Sequence, residues 1–221
     1  MPADSLTSKP RYIVVEGPIG VGKTSLAERL AESFASELML EEPWSNPFLE
    51  RFYREPGSSA LPTQLYFLFQ RAKLIEGMRQ TDMFQPVGVA DFLLEKDRLF
   101  AGLTLDQEEL KLYEQIFAKL SLTAPTPDLV IYLQAPVDVL LQRIFKRGIN
   151  YEQWIERRYL ERLTEAYARF FHEYDDSPLL IVNVEAIDVV NNERDYQQLF
   201  EEITSIQRGR YFFNPVSHTI L

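Results

Sequence analysis

The stretch Gly17-Pro18-Ile19-Gly20-Val21-Gly22-Lys23-Thr24 constrains this chain more than any other. It fits G-x-x-x-x-G-K-[ST], a pattern that works only where a buried strand enters a helix through a glycine loop. Both flanks agree. Arg11-Tyr12-Ile13-Val14-Val15-Glu16 before it is β-branched and aromatic, as a strand requires. After it Leu26, Leu30 and Phe34 recur at every fourth residue, one face of a helix. The glycines let successive backbone N–H groups converge into an anion-binding nest, and the helix N-terminus behind adds partial positive charge. Lys23 is expected to reach β- and γ-phosphates, and the Thr24 hydroxyl to sit on Mg²⁺. The loop therefore implies ATP or a similar triphosphate, with Mg²⁺. It leaves open what accepts the γ-phosphoryl group.

Composition narrows the rest. The chain has 221 residues, is 46% hydrophobic and carries a formal net charge of −10. That length suits one α/β domain over 11–210, with a polar tail at 1–10 and a second tail at 211–221. So acidic a chain is a poor candidate for nucleic-acid binding through phosphates. Having no cysteine excludes disulfides and thiolate metal sites. No signal-peptide core or apolar run of membrane-span length is visible, so no membrane partner and a cytoplasmic location are expected.

Alternating patterns along the chain predict strands at 11–16, 38–41, 87–91, 128–133 and 179–183. Helices are expected at about 22–37, 46–54, 61–83, 104–122, 137–146, 151–174 and 193–208, with a loop at 55–59. Strands alternating with helices imply a five-stranded parallel sheet covered on both faces, an α/β fold of the P-loop kinase kind. Ligands of such sheets sit at the carboxyl ends of the strands.

Glu41 and Glu42 end the second strand and Asp91 the third, on the rim that carries the loop. Glu42 either takes a proton from an attacking hydroxyl or caps the helix after Pro43. Asp91 can hold Mg²⁺ through water. Gln64, Phe67, Leu68 and Arg71 share one helix face, which offers an amide, a ring and a guanidinium to a flat heterocycle; Phe67 and Leu68 can equally be core. Arg143 and Arg147 lie four apart before Gly148, as a mobile cationic lid requires. Trp44, close to Glu42-Pro43, and Trp154 are core or pocket. With only His172 and His218 in the chain, a histidine base is not expected.

The ordered set of P-loop, Glu42-Pro43, Tyr53, Gln64, Arg71, Asp91, Asp97-Arg98, Leu140 to Gly148 and Glu152 resembles the deoxynucleoside kinase family, and within it the bacterial branch acting on purine deoxynucleosides. The resemblance implies that Glu42 is the base for the substrate 5′-hydroxyl. It implies that Tyr53 and Glu152 hold the 3′-hydroxyl, and that Gln64, Arg71 and Asp97 recognise the base. Asp91 would support Mg²⁺, Arg143 and Arg147 would cover the phosphates, and Ile187-Asp188-Val189-Val190 would flank the adenine of ATP. A homodimer is implied too. Two positions depart from the family: Phe92 stands where it has an arginine, and so does Ile149. Either Lys146, Lys96 or Arg98 substitutes, or the transition state is held differently. Two rivals remain. One is a thymidylate-type monophosphate kinase, which needs a cation for its acceptor phosphate where Glu42 is placed. The other is a nucleotide-binding scaffold without catalysis.

Overall fold

Tyr12–Glu16 forms β1, buried along its whole length, and everything else is arranged around it. The structure, a computed structural model, describes residues 12–80, 88–120 and 122–215. Helix α1 (Lys23–Phe34) follows the glycine loop, then the two-residue β2 (Leu38–Met39). A 3-10 turn (Pro43–Ser45) leads to α2 (Leu49–Arg54) and the long α3 (Pro56–Gln80). Next come β3 (Gly88–Ala90), α4 (Lys96–Thr104), α5 (Gln107–Leu120) and β4 (Leu129–Gln134). Helix α6 (Val137–Arg147), a second 3-10 turn (Asn150–Trp154) and α7 (Arg157–Glu173) precede β5 (Leu179–Asn183). Helix α8 (Glu193–Ser205) and β6 (Arg210–Phe213) complete the described elements.

All pairings are parallel, in the order β2-β3-β1-β4-β5-β6. The sheet thus has six strands where five are expected, because β6 runs from the last residue of the expected domain into the stretch expected to be a tail. It pairs Leu180 with Tyr211 at the sheet edge, where alternate residues stay exposed. Such a half-wet edge strand lacks the continuous apolar run that marks its neighbours. The core is the two faces of this sheet, filled by Ile13, Val15, Ile131, Leu133, Leu26, Leu160 and Phe171. Gly88 has φ +105°, and a Cβ there would meet the Glu37 carbonyl oxygen at 2.4 Å, so only glycine lets β3 run this close to the residue that leads into β2.

Several helix boundaries differ from expectation. Helix α3 starts at Pro56, through the expected loop, because Pro56 occupies a helix-start position that needs no N–H. The first turns are then held by burying Ser59 and Ala60 against α2. Lys96–Thr104, where no helix is expected, forms α4, and the helix expected at 104–122 is α5. Asp106 accepts from the amides of Glu108 and Glu109 while Glu109 accepts from the amide of Asp106, a capping box that starts α5 afresh. The one expected at 151–174 is a 3-10 turn followed by α7. The tail at 1–10, Arg11 of the first strand, 81–83 of the long helix and Val87 lie outside the described residues. Among the described residues no helix is long and apolar enough to cross a membrane.

Candidate active site

The carboxyl ends of β1, β2 and β3 converge on one cavity of about 130 Å³. From the glycine loop it takes Ile19, Gly20, Lys23 and Thr24; from α2 and α3 Tyr53, Gln64, Phe67 and Arg71; from the far side Arg147 and Glu152. A wider groove of about 710 Å³ between α4, α5 and α7 is lined by Leu99, Phe117 and Phe170 and includes no residue of the glycine loop.

The loop keeps its shape for a steric reason. Gly17 has φ +148°, and a Cβ there would sit 2.4 Å from the Leu133 carbonyl oxygen. Glu16, fully buried at the end of β1, accepts from the Gly17 amide (2.9 Å), the Leu93 amide (2.9 Å) and the Tyr167 hydroxyl (2.9 Å). Lys23 donates to the carbonyls of Gly17 (2.8 Å) and Pro18 (3.3 Å), and burial and Lys96 lower its pKa. Thr24 donates to Asp91 Oδ2 at 2.7 Å, while the Glu41 amide donates to Asp91 Oδ1 at 2.9 Å. Burial and the nearby Glu41 push the Asp91 carboxyl up.

The two tandem glutamates part company here. Glu42 is exposed, and its backbone carbonyl is the atom that is used, accepting from the Ser45 hydroxyl and the Gln70 amide. Glu41 lines the cavity instead. It pairs with Arg71 at 2.5 Å and Lys96 at 2.6 Å. Burial opposes its charge, but these two cations hold its carboxyl down at about 2. The geometry therefore puts Glu41, not Glu42, beside Lys23, Thr24 and Asp91. Strand β2 stops at Met39, so the next residues follow no strand alternation, and Glu41 is turned inward by its amide bond to Asp91.

Arg71 is the hub of the α3 wall. It also ion-pairs with Asp97 and lies 5.4 Å from the centroid of the Phe67 ring. Asp97 stands behind it, fully buried, its carboxyl pushed up by burial to about 6 against the pull of Arg71. Gln64 is buried on the same wall, and Leu68 is core. At the opposite wall Tyr53 lies parallel to Tyr151, with ring centroids 6.4 Å apart, and burial keeps its phenol protonated. Glu152 receives Arg147 through contacts of 2.7 and 3.0 Å.

Several expected residues lie outside the cavity. Trp44 is 67% exposed, and its neighbour Pro43 lines the wall. Trp154 is exposed as well, with Arg54 over its ring at 4.9 Å. Arg143 donates to the carbonyls of Val21 (3.0 Å) and Val184 (2.6 Å), bracing the loop rather than lining the cavity. Asp188 accepts from the Val190 and Asn191 amides, which shapes the loop after β5. Arg29 fastens that loop to α1 through the Val189 and Val190 carbonyls. Glu16, Tyr159 and Tyr167 are brought here with no signal in the sequence, whereas Glu41 is expected on the rim without a role and Lys96 is one of three cations expected to replace a missing arginine. Thr24 and Asp91 supply a hydroxyl and a carboxylate, few hard oxygen donors, as suits Mg²⁺ that takes its other ligands from phosphates and water. Among the described residues no group of three or more acidic or histidine side chains forms a closed metal cage.

A family model described as deoxynucleoside kinase matches residues 13–207. The deoxyguanosine kinase of Bacillus subtilis (strain 168) is 32% identical over 203 residues, which are 88% of this chain and 97% of that protein. The deoxyadenosine/deoxycytidine kinase of the same organism is 30% identical over 208 residues, 90% of this chain and 94% of that one. In fold the chain is similar to deoxyadenosine kinase from M. mycoides with bound dCTP, with a TM-score of 0.75 at 24% identity, covering 88% of this chain and 100% of that one.

Proposed function

The chain belongs to the deoxynucleoside kinase family, and from that premise we propose that it moves the γ-phosphoryl group of ATP to the 5′-hydroxyl of a purine deoxynucleoside. The observation that carries this reading is one cavity joining Lys23 and Thr24 to an ionised Glu41 at one end and to Gln64 and Arg71 at the other. Lys23 and the loop amides bind the β- and γ-phosphates. Thr24, with Asp91, would hold Mg²⁺, which when bound offsets phosphate charge. Glu41 accepts the 5′-hydroxyl proton as that oxygen bonds to the γ-phosphorus and the bond to the ADP oxygen breaks. Arg147, and Arg143 behind the loop, supply positive charge near the transferred group. Tyr53 and Glu152 hold the sugar 3′-hydroxyl. Gln64 offers both a donor and an acceptor to the base edge, and Asp97 fixes the Arg71 guanidinium beside it.

A nucleoside suits this cavity better than a nucleoside monophosphate. Three of its cations, Arg71, Lys96 and Arg147, are already paired with Glu41, Asp97, Glu16 or Glu152. An acceptor phosphate would have to displace a carboxylate from one of them. The purine preference rests on the names of the relatives, a deoxyguanosine kinase and a deoxyadenosine/deoxycytidine kinase, the latter keeping deoxycytidine as the second candidate acceptor. Competition of equal amounts of deoxyguanosine, deoxyadenosine, deoxycytidine and thymidine with ATP tests it. A purine monophosphate is expected to dominate, and dominant thymidine phosphorylation would overturn the base-site reading. By kinship, a homodimer in the cytoplasm completes the proposal.

A further inference from the structure

Lys96 opens α4, and its side chain is only 4% exposed, where an unpaired ammonium would be costly. It lies between two carboxylates, 3.0 Å from Glu16 Oε1 and 2.6 Å from Glu41 Oε2. Burial works against its charge, but Glu16 and Glu41 outweigh that and raise its pKa. Glu16 is itself immobilised by the Gly17 amide, the Leu93 amide and the Tyr167 hydroxyl. Lys96 is therefore a strut between Glu41 and the residue that precedes the phosphate loop.

Glu41 needs such a strut. It follows a two-residue strand, and its backbone is tied to the site by one amide, to Asp91. Its carboxylate is placed by two cations, Arg71 on Oε1 and Lys96 on Oε2. Arg71 is shared with Asp97 at the base end, so Lys96 is the contact that ties Glu41 to the phosphate end. The other cavity cations are turned elsewhere: Lys23 to the Gly17 and Pro18 carbonyls, Arg147 to Glu152. Phe92, beside Asp91, is packed in the core and offers no charge.

We propose that Lys96 is a positioning residue for phosphoryl transfer: through Glu16 it locks the Glu41 carboxylate in register with the phosphate loop. This rests on Glu41 being the proton acceptor. The competing explanation is that Lys96 only neutralises the buried Glu16.

Two double variants separate these: the first removes Lys96 together with the Glu16 charge that Lys96→Met alone would strand, and the second removes it together with the carboxylate it is proposed to position. They are Glu16→Gln with Lys96→Met, and Glu41→Gln with Lys96→Met, measured beside each single variant for kcat, nucleoside KM and thermal midpoint. A misplaced reacting group typically costs about 10²-fold in rate. The expected result is that Glu16→Gln with Lys96→Met keeps the parent midpoint to within a few degrees and nucleoside KM within about threefold, yet loses about 10²-fold in kcat. In the Glu41→Gln background, Lys96→Met is expected to cost less than about threefold more, since it acts through a group already removed. Recovery of kcat in Glu16→Gln with Lys96→Met would overturn the proposal in favour of charge neutralisation. Equal losses from Lys96→Met with and without Glu41 would overturn it as well, leaving Glu41 as acceptor intact. Parent-like kcat in Glu41→Gln alone would instead remove the acceptor reading, and this proposal with it.

Discussion

Replacing each of two adjacent glutamates by glutamine gives opposite expectations. In Glu41→Gln the side chain keeps its shape but cannot take a proton. Loss of a positioned base costs about 10²–10⁴-fold. The lower end is expected here, because a carboxyl held at about 2 is a weak base and the loose transition state of phosphoryl transfer demands little proton removal. A loss of about 10²-fold in kcat corresponds to about 3 kcal/mol. Stability falls too. Glu41 is depressed from 4.5 to about 2, so its ion pairs contribute about 3 kcal/mol at neutral pH. For a depressed carboxyl that contribution is complete above the unfolded value near 4.5 and is lost as pH falls through the folded value near 2. The variant should therefore melt below the parent at pH 7, with the gap closing as pH is lowered from 4.5 towards 2. Glu42 is exposed and engaged through its backbone, so Glu42→Gln is expected to change kcat less than about twofold and to melt with the parent. Steady-state kinetics and melting curves on the pair decide. If Glu42→Gln loses the activity and Glu41→Gln keeps it, the placement of the acceptor is wrong.

Lys23→Ala should keep the fold and abolish turnover, seen as a normal circular dichroism spectrum with no product. Gly17→Ala puts a Cβ 2.4 Å from the Leu133 carbonyl oxygen and should lower the melting temperature sharply, whereas Gly57→Ala, with open space at its Cβ, should not. Arg147→Ala leaves the buried Glu152 carboxylate without its cation, so it should lower the melting temperature while raising KM for both ATP and the nucleoside.

The parts of the fold legible in the sequence are those where one local signal decides. The glycine loop has a single steric solution, and the apolar runs of β1 and β5 can only be buried strands. Strand β6 was not legible, because Arg210–Phe213 is short and half exposed, and its partner β5 lies 30 residues away in the chain. The start of α5 was written in the capping pair Asp106 and Glu109, but nothing in the pattern before residue 104 announced α4. Site residues on regular helix faces, Gln64, Phe67 and Arg71, were legible through their spacing and do share one wall. The Glu41–Glu42 choice was not. After a strand of two residues no periodicity says which of two like neighbours turns inward, and the choice is made by the bond from the Glu41 amide to Asp91. Lys96 stood among three cations able to replace a missing arginine. Only the start of α4 beside Glu16 and Glu41 singles it out.

The most direct test of the account is to supply ATP with Mg²⁺ and, in parallel, deoxyguanosine, deoxyadenosine and thymidine monophosphate, and to identify the phosphorylated products by mass. Purine deoxynucleoside 5′-monophosphates should form, with no diphosphate from thymidine monophosphate. Diphosphate forming while the nucleosides remain untouched would contradict it.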